Sequence, residues 1–444
     1  MPEGKDSYGS PTGKNPVLER QRREILRIRR SGSFRLGVVF TRAVARPWRL
    51  LWLPLSIVVL FWRIMMERLG RREYKVSGLR PMAYSPRKSI VFFPTNGVGL
   101  GHFTRLFAIA KRLQKIDADV EIIFLTTMPT LHLLENEGIP AYHLPGREKF
   151  NEMDANTWNM IAEEMMLSIF SVHSPKLFVF DGVFPYRGML NSIKDNDVMG
   201  KIWLRRGMSR ANAANMPVDS LNHFDLILHP TDSMDEENVD EIDISVIHCD
   251  PIIYADEDML MSREAVRTRL GIPEQAIVVY VQLGAGRIND IESDISITIA
   301  ELGKYENVYI VLGESMIGER LNIKGERLRI IRDYPNSILF NGFDFAVIAG
   351  GYNSYHEVIK FSLPTLCYPN LKTGKDNQLS RVTVAEEEGC MIVLTRVTPA
   401  KVSEAITELL KDHVREEMRR NCKILHRPNG ADQAAEFLLD RLNH

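Results

Sequence analysis

The sequence predicts an α/β protein of two domains, each with a parallel β-sheet covered by helices on both faces. From about residue 88, short apolar runs rich in β-branched and aromatic residues alternate with helix-length amphipathic segments. The alternation pauses at an acidic stretch, residues 232–243, and then resumes. The chain has 444 residues, and this length is enough for about two to three domains.

The N-terminal arm is strongly basic, although the whole chain has a net charge of only −1. Residues 1–75 hold 17 Lys and Arg against 6 Asp and Glu, which leaves a net charge of −12 on the remainder. Residues 1–33 are also rich in Gly, Pro and Ser, and we expect them to be a disordered basic tail. An arm of this charge points to nucleic acid or to an anionic membrane.

The segment after this tail, residues 34–80, favours the membrane. It contains three of the five tryptophans, and the 13 residues 50–62 carry no charge. A helix of this length spans roughly 20 Å, less than the ~30 Å hydrocarbon core of a bilayer, and Pro54 interrupts the run. We therefore expect a peripheral or monotopic anchor rather than a span. The alternative is a hydrophobic helix that packs on the body or on a second subunit.

The cysteines and the aromatic residues indicate the cell compartment and the kind of partner. The four cysteines are far apart and form no C-x-x-C pattern, which fits reduced thiols in a cytoplasm. The expected location is thus the cytoplasmic face of the cell membrane. No nucleic acid is expected as a partner, because the aromatic residues of the arm adjoin an apolar run and not an RNA-binding motif.

The predicted strands fall into two groups, residues 88–250 and 260–425, and a C-terminal helix follows at 426–444. The first group contains SIVFFP, DVEIIFLT, KLFVFD, GKIWLR and DLILHP; the second contains AIVVYVQLGAG, NVYIVLG, LRIIRD, FAVIAGG and LPTLCYP. Ligands of open α/β sheets bind beyond the carboxyl ends of the strands. Two such sheets that face each other would form an interdomain cleft walled by glycine loops.

The first glycine loop joins a strand to a helix and ends in a histidine. Its candidate residues are Asn96, Gly97, Gly99, Gly101, His102 and Arg105. His102 stands where the dinucleotide fingerprint needs its third glycine, and the P-loop motif is absent from the chain, so neither a dehydrogenase nor a P-loop ATPase is expected. A histidine at this position suits contact with substrate or removal of a proton near neutral pH. The alternative is a tight turn with a capping histidine.

Further candidates stand at other strand ends. Asp181 ends KLFVFD, and either points into the cleft as a base or a holder of the acceptor, or caps the next helix. Arg205 and Arg206 end another strand and are candidates for contact with the acceptor or its phosphate. Gly284 and Gly286 end VVYVQLGAG, where backbone N–H groups would suit a diphosphate.

Residues 345–390 carry the most specific pattern. A predicted strand runs into Gly350 and Gly351, a Tyr-Asn-Ser turn and a helix with Glu357, and a later helix starts at DNQLSR. Together with the first loop, this pattern resembles the GT-B glycosyltransferases, in particular the family 28-like branch that includes the lipid-linked N-acetylglucosaminyltransferase of peptidoglycan synthesis. The resemblance covers about residues 88–425. Two features depart from that branch: Ser362 replaces the usual glycine of G-x-P, and Arg381 replaces the commoner asparagine.

The resemblance implies a fold and a donor site. The fold would be two Rossmann-like parallel-sheet domains facing across a cleft, preceded here by a basic, apolar membrane-associating segment. Glu357 would accept hydrogen bonds from the ribose. Gly351, Asn353 and Ser354, beside Gly350, would line the diphosphate, and Asp376, Asn377 and Gln378 would meet the hydroxyls of the donor sugar. A positive helix end suits a diphosphate, and amides and a carboxylate suit hydroxyl-rich ligands.

The sequence thus predicts a glycosyltransferase. It would move a sugar from a nucleotide-diphosphate donor, UDP by the resemblance, to a membrane-associated lipid-linked or glycan acceptor deprotonated by His102 or Asp181. The resemblance implies inversion, and no metal or other cofactor is expected beyond the nucleotide sugar as co-substrate. Enzymes of a cell-envelope polysaccharide pathway are expected partners. The alternatives are a nucleotide-sugar epimerase or hydrolase on the same fold, or a non-catalytic nucleotide-sugar-binding membrane partner.

Overall fold

The computed structural model describes most of the chain. The described residues are 31–69, 86–95, 99–129, 131–206, 220–233, 244–284, 291–316, 323–372 and 376–444, with the short pieces 13–14, 24, 27–29 and 83–84. Most of the predicted tail, residues 1–33, lies outside the described residues, as do residues 70–80 of the predicted membrane segment.

Two helices precede the first sheet and form a hairpin. They are α1 (Gly32–Val44) and α2 (Leu53–Arg68), joined through a 3₁₀ helix at Pro47–Trp52. Arg35 of α1 donates two hydrogen bonds, of 2.7 and 3.0 Å, to the carboxylate of Glu67 in α2. This bidentate ion pair fixes the two helices side by side.

Pro54 does not interrupt the apolar run, so that part of the sequence prediction is wrong. It lies in the first turn of α2, where a helix tolerates proline because the missing N–H has no partner there in any case. The run Trp48–Arg68, 21 residues long, is apolar and long enough to cross a membrane by length and composition alone. Its large side chains are mostly exposed, among them Trp48 and Trp52, each 60% exposed.

The described residues of the first domain form a seven-stranded sheet in the order β3-β2-β1-β4-β5-β6-β7. All neighbouring strands in it are parallel. The strands are β1 Arg87–Pro94, β2 Glu121–Thr126, β3 Ala141–His143, β4 Pro175–Asp181, β5 Gly200–Leu204, β6 Leu226–Pro230 and β7 Ser245–Cys249; the helices are α3 Gly101–Ile116, α4 Leu131–Glu135, α5 Ala155–His173 and α6 Arg187–Ile193. Alternate residues of β1 face the two sides, so Phe92 packs with α3 and Phe93 packs with α5 and α6.

The part of the second domain that the structure describes repeats this plan with six strands, in the order β10-β9-β8-β11-β12-β13. These strands are also parallel throughout. They are β8 Ile277–Gln282, β9 Val308–Gly313, β10 Leu328–Ile331, β11 Phe345–Ile348, β12 Thr365–Cys367 and β13 Met391–Val393; the helices are α7 Arg263–Leu270, α8 Ile291–Leu302, α9 Tyr352–Lys360, α10 Gln378–Glu387, α11 Pro399–Leu409 and α12 Asp412–Cys422. Both sheets have a strand order typical of Rossmann-like domains, which confirms the predicted fold class.

The last helix, α13 (Gly430–Asn443), returns to the first domain. Its apolar face, which includes Ala431 and Leu438, joins the core formed by α3 and the first sheet. Gly430 is required at its start, because a β-carbon there would collide with the backbone of Asp250. The chain therefore crosses between the domains twice, once after β7 and once before α13, and the two crossings meet where the Gly430 N–H donates to the carbonyl of Pro251 at 3.0 Å.

Candidate active site

His102, Arg105 and Asp181 meet at the carboxyl ends of β1 and β4, which are neighbours in the first sheet. Asp181 is the last residue of β4, and its Oδ1 lies 2.6 Å from Nδ1 of His102, in the first turn of α3. Arg105, one turn further along α3, donates to the same carboxylate through Nε at 3.0 Å and Nη2 at 2.7 Å. The side chains of Asp181 and Arg105 are only 1% and 2% exposed, whereas that of His102 is 13% exposed.

Burial and charge set the protonation states of this group. Burial alone would raise the pKa of Asp181, but Arg105 and His102 outweigh it and hold that pKa below its usual value. Burial lowers the pKa of His102, and Arg105 and Arg206 add to this effect while Asp181 opposes it. At neutral pH the carboxylate is therefore ionised and the imidazole is neutral. Nδ1 of His102 faces both the Asp181 carboxylate and, at 2.9 Å, Nη2 of Arg105, which itself donates to Asp181. In the tautomer with the proton on Nδ1, donated to the carboxylate, the neutral imidazole presents Nε2 as a proton acceptor.

Asp181 was predicted either to point into the cleft or to cap the next helix. The next helix, α6, has Tyr186 at its N-cap position and no side-chain hydrogen bond there, so Asp181 does not cap it. The carboxylate instead lies between Arg105 and His102. This placement suits a residue that orients the histidine rather than one that receives the proton itself.

The glycine loops border this group from both domains. A β-carbon on Gly101 would lie 3.7 Å from Nη1 of Arg105 and 3.9 Å from Oδ1 of Asn353, a residue of the second domain. Around Gly99 there is open space. Gly284 has φ of +95°, which side chains rarely adopt, so the turn after β8 requires glycine. The remaining candidates of these loops, Asn96, Gly97 and Gly286, lie outside the described residues.

The second domain presents the start of α9 to this interface. Gly351 occupies its N-cap position without a side-chain hydrogen bond, so N–H groups of the first turn are not capped by it. A β-carbon on Gly350 would press against α10, at 2.9 Å from Val382, whereas one on Gly351 would meet nothing within 4 Å. Oδ1 of Asn353, in this turn, is buried and has no hydrogen-bond partner among the described residues. The uncapped helix start suits an anionic group of a ligand, and the unpartnered Oδ1 beside it suits a hydroxyl or N–H donor of the same ligand.

Ser354 and Glu357 continue along the same helix. Ser354 is partly buried in the first turn of α9. The Glu357 carboxylate, one turn further, accepts a 2.9 Å hydrogen bond from the hydroxyl of Ser337. Burial raises the pKa of Glu357 to about 7, although the Ser337 hydrogen bond opposes that shift. In the part of the chain that the structure describes, this carboxylate has no cationic partner, and such an acceptor is what a hydroxyl-rich ligand would need.

The three residues before and at the start of α10 have different local roles. Asn377 caps α10, because its side chain accepts from the backbone N–H of Ser380. Gln378 accepts from the backbone N–H of Asn370 at 2.9 Å. Asp376 accepts a 2.6 Å hydrogen bond from Arg381 and lies 3.8 Å from Arg206 of the first domain. The structure therefore brings Asp376 to the interface, while Asn377 and Gln378 brace the loop behind it.

A buried ion pair between the domains was not predicted from the sequence. Arg381 of α10 donates to Asp232, which follows β6, through Nε at 2.9 Å and Nη2 at 2.7 Å. Its Nη1 donates to the carbonyl of Gly350 at 2.8 Å. Burial alone would raise the pKa of Asp232, but His356 and Arg381 hold it well below the usual value. Arg381 was noticed only as a departure from the family pattern, and Asp232 only as the first residue of an acidic stretch.

Tyr352 is a second link between the domains that the sequence did not indicate. Its hydroxyl donates to the carbonyl of Thr231 at 3.0 Å. Its ring is surrounded by guanidinium groups from both domains: the Cζ atom of Arg206 lies 4.5 Å from the ring centroid, and those of Arg105 and Arg381 lie 5.6 Å from it. The start of α9 is thereby fixed against the loops that carry the His102 group.

The other candidates from the sequence lie apart from this interface or have structural roles. Arg205 is buried, and its guanidinium lies 5.1 Å from the ring of Trp203 within the first domain. The backbone N–H of Arg205 donates to the carbonyl of Leu228 at 2.9 Å, so this residue continues the pairing of β5 with β6.

Comparison with known proteins agrees with this architecture. No family model matches the chain. It is 24% identical over 373 residues to the UDP-N-acetylglucosamine–N-acetylmuramyl-(pentapeptide) pyrophosphoryl-undecaprenol N-acetylglucosamine transferase of Acetivibrio thermocellus, which covers 78% of this chain and 96% of that protein. It is 24% identical over 188 residues to the uncharacterized glycosyltransferase MK0977 of Methanopyrus kandleri, which covers 42% of this chain and 53% of that protein.

Solved structures show the same fold. MurG of Acinetobacter baumannii superposes with a TM-score of 0.51 at 14% identity, over 80% of this chain and 100% of that one. The calicheamicin glycosyltransferase CalG4 superposes with a TM-score of 0.56 at 15% identity, over 80% of this chain and 98% of that one. The chain is a glycosyltransferase of the GT-B fold, and it resembles the family that includes the lipid-linked N-acetylglucosaminyltransferase of peptidoglycan synthesis.

Proposed function

We propose that the chain transfers a sugar from a nucleotide-diphosphate donor to a hydroxyl of a membrane-associated acceptor, with His102 as the base. The observation that carries this proposal is the 2.6 Å contact between Nδ1 of His102 and Asp181, placed opposite the uncapped start of α9. The name of the Acetivibrio thermocellus relative includes UDP-N-acetylglucosamine and a pyrophosphoryl-undecaprenol acceptor, which supports a UDP-sugar and a lipid-linked acceptor here.

In this mechanism the proton of the acceptor hydroxyl passes to Nε2 of His102 as the oxygen attacks the anomeric carbon. The bond from that carbon to the diphosphate breaks, and the leaving nucleotide diphosphate keeps the electron pair. Asp181 stabilises the imidazolium that forms, because its ionised carboxylate holds Nδ1–H. The first turn of α9 stabilises the charge on the leaving group. Attack from the face opposite the leaving group inverts the anomeric carbon, and no step of this proposal requires a metal.

The donor is proposed to lie along α9. Its diphosphate occupies the first turn, lined by Gly351, Asn353 and Ser354, and its ribose hydroxyls donate to Glu357. The uncapped first turn of α9 supports the place of the diphosphate. The two acceptors beside it, the unpartnered Oδ1 of Asn353 and the Glu357 carboxylate, whose pKa burial raises to about 7, support a ligand that also carries hydroxyl groups. Asp376 is the side chain of the DNQ start that lies nearest to the interface and is proposed to contact the sugar.

The hairpin of α1 and α2 is proposed to hold the enzyme on the cytoplasmic face of a membrane. Exposed tryptophans and other apolar side chains cover α2 and the preceding turn, and the arm around them carries a strong positive charge. Side chains of this kind bury themselves in the interface of a bilayer, where arginines meet anionic headgroups. An enzyme placed there has direct access to a lipid-linked acceptor.

Release of nucleoside diphosphate tests the proposed function. The full-length protein is incubated with a panel of nucleotide sugars, with and without membrane lipid extract as the acceptor source. Release that needs both substrates supports transfer; release without acceptor indicates a hydrolase, and no release with any donor indicates a non-catalytic partner. We expect His102→Ala to abolish release while keeping the donor-induced thermal shift, and Glu357→Ala to lose that shift. His132→Ala, an exposed histidine of α4, serves as the matched control.

A further inference from the structure

Arg206 lies directly after β5 and reaches the interface between the domains. Its guanidinium is the closest of the three that surround the ring of Tyr352, at 4.5 Å from the centroid. Three cations around one ring repel one another unless each is balanced by an anion. The guanidinium group that lacks a close carboxylate partner is therefore the one that remains available to a ligand.

Two of the three cations have carboxylate partners at hydrogen-bond distance. Arg105 donates twice to Asp181, and Arg381 donates to both Asp232 and Asp376. These bonds have lengths of 2.6 to 3.0 Å, so both guanidiniums are neutralised within the protein.

Arg206 differs from both. Among the described residues, the carboxylate oxygen in an ion pair with it is Oδ1 of Asp376, at 3.8 Å from Nη1. That oxygen already accepts a 2.6 Å hydrogen bond from Arg381. Nη1 of Arg206 is buried and has no hydrogen-bond partner among the described residues. A buried guanidinium nitrogen without an acceptor is costly, and a ligand that supplies an oxygen atom removes that cost.

The surroundings of Arg206 indicate where that oxygen lies. Arg105, whose Nη2 lies 2.9 Å from Nδ1 of His102, stands over the same Tyr352 ring as Arg206. Asp376 of the second domain lies 3.8 Å from Nη1 of Arg206. The ring of Tyr352, the first residue of α9, lies under the guanidinium, so the cation also faces the uncapped start of that helix. An oxyanion at this point meets a cation and a positive helix end together.

We propose that Arg206 binds a phosphate oxygen of a substrate, at a subsite between His102 and Asp376. This inference rests on the proposed function, because both substrates of that reaction carry phosphate. The phosphate belongs either to the diphosphate of the donor or to the diphosphate of a lipid-linked acceptor. The chemistry at Arg206 is the same in both cases, and binding measurements separate them.

The first measurement compares the wild-type protein with Arg206→Gln by calorimetry, using uridine diphosphate and uridine as probes. If the subsite binds the donor, the substitution should lower the affinity for uridine diphosphate by about tenfold or more, the loss expected for one charge-assisted hydrogen bond. The affinity for uridine should not change. The second measurement uses farnesyl diphosphate and farnesol. If the subsite binds the acceptor, the affinity for farnesyl diphosphate should fall by the same factor, while the affinities for farnesol and uridine diphosphate should not change.

Arg329→Gln is the matched control, because the guanidinium of Arg329 also lies over a tyrosine ring, that of Tyr309 at 5.8 Å, but on the outer strand β10. It is expected to bind every probe as the wild type does. If Arg206→Gln does not fold, Arg206→Lys takes its place, since it keeps the charge and is expected to lose severalfold in affinity for the same probe. Unchanged affinity of the Arg206 variant for both diphosphates overturns the inference and leaves the proposed function standing. A wild-type protein that binds none of the four probes counts against the proposed function and this subsite together.

Discussion

The carboxylate of Asp181 and the imidazole of His102 form a pair whose protonation states are set by burial and by a third residue, Arg105. Arg105 donates two hydrogen bonds to Asp181, and this pairing keeps the carboxylate ionised although it is buried. The ionised carboxylate holds Nδ1 of His102 at 2.6 Å, while burial keeps the imidazole neutral. A base that is neutral at pH 7 and already oriented needs no rearrangement before it accepts a proton.

Asp181→Asn tests this division of roles through the pH dependence of turnover. In the wild type, kcat should fall only below the usual histidine pKa, because burial lowers the pKa of His102 and the neutral form persists to lower pH. The substitution removes the carboxylate charge that raises the pKa of His102, so that pKa should fall further. The acid limb of the pH profile of kcat should therefore move to still lower pH. The maximal kcat should also fall by roughly 100-fold, since the imidazolium loses its stabilising partner.

The control for this substitution is Glu121→Gln. Glu121 faces Nδ1 of His173 at 2.6 Å, the same distance as in the proposed catalytic pair, but at the start of β2. Its loss should leave kcat and the pH profile unchanged. Thermal melting of both variants checks that the fold is intact. An Asp181→Asn enzyme with full activity would show that the pair has no role in proton removal.

Among the described residues, α2 contacts α1 but leaves most of its apolar side chains exposed. Residues 53–68 form one continuous helix of about 24 Å, and its apolar side chains are mostly exposed. The Arg35–Glu67 ion pair holds α1 beside it, so the hairpin presents its turn, with Trp48 and Trp52, as one unit. Such a surface is expected to be covered by a bilayer or by another protein.

Sedimentation with lipid vesicles distinguishes a bilayer from a second protein as the partner of this surface. The full-length protein should bind vesicles that contain anionic phosphatidylglycerol more tightly than neutral vesicles, and added salt should weaken the binding. Trp48→Ser combined with Trp52→Ser should weaken vesicle binding by about tenfold, because two interfacial anchors are lost. Ile424→Ser is the control, because Ile424 is an apolar residue of similar exposure, 65%, that lies after α12. Unchanged vesicle binding of the tryptophan variant, or no binding by the wild type, would favour packing on a second subunit.

The elements also show why the prediction for the membrane segment differed from the structure. The effect of a proline depends on where its helix begins, and an apolar run alone does not give that start. Pro54 was expected to interrupt the run, but the helix α2 starts at Leu53, so the proline lies in its first turn. The strands were easier to predict, since buried parallel strands such as KLFVFD are nearly continuous apolar runs.

At the scale of the whole molecule, the two domains are joined at the proposed site itself. The buried ion pair of Asp232 with Arg381 and the hydrogen bond from Tyr352 to Thr231 connect the carboxyl ends of the two sheets. Breaking such a pair leaves an uncompensated buried charge, so the domains are held in this arrangement by more than their covalent crossings. These contacts hold the start of α9 facing the His102 group.

The order of the strands in the whole sheet determines how much of the site could be predicted from the sequence. His102 and Asp181 were each predicted singly, from their positions at the ends of a loop and a strand. That they touch depends on β1 and β4 being neighbours, which follows from the strand order and not from the sequence of either strand. Asp232 and Arg381 are 149 residues apart, and neither shows its partner in its local sequence. Pairings of this kind come from topology, so they had to be observed.

A nucleotide diphosphate is proposed to bind at the start of α9, opposite the His102–Asp181 pair. A crystal structure of the full-length protein with the nucleotide sugar that gives the largest thermal shift would show this site occupied or empty. We expect the diphosphate within hydrogen-bond distance of the first backbone N–H groups after Gly351, with the ribose hydroxyls on Glu357. A nucleotide bound elsewhere, with the start of α9 filled by protein side chains, would refute this binding site.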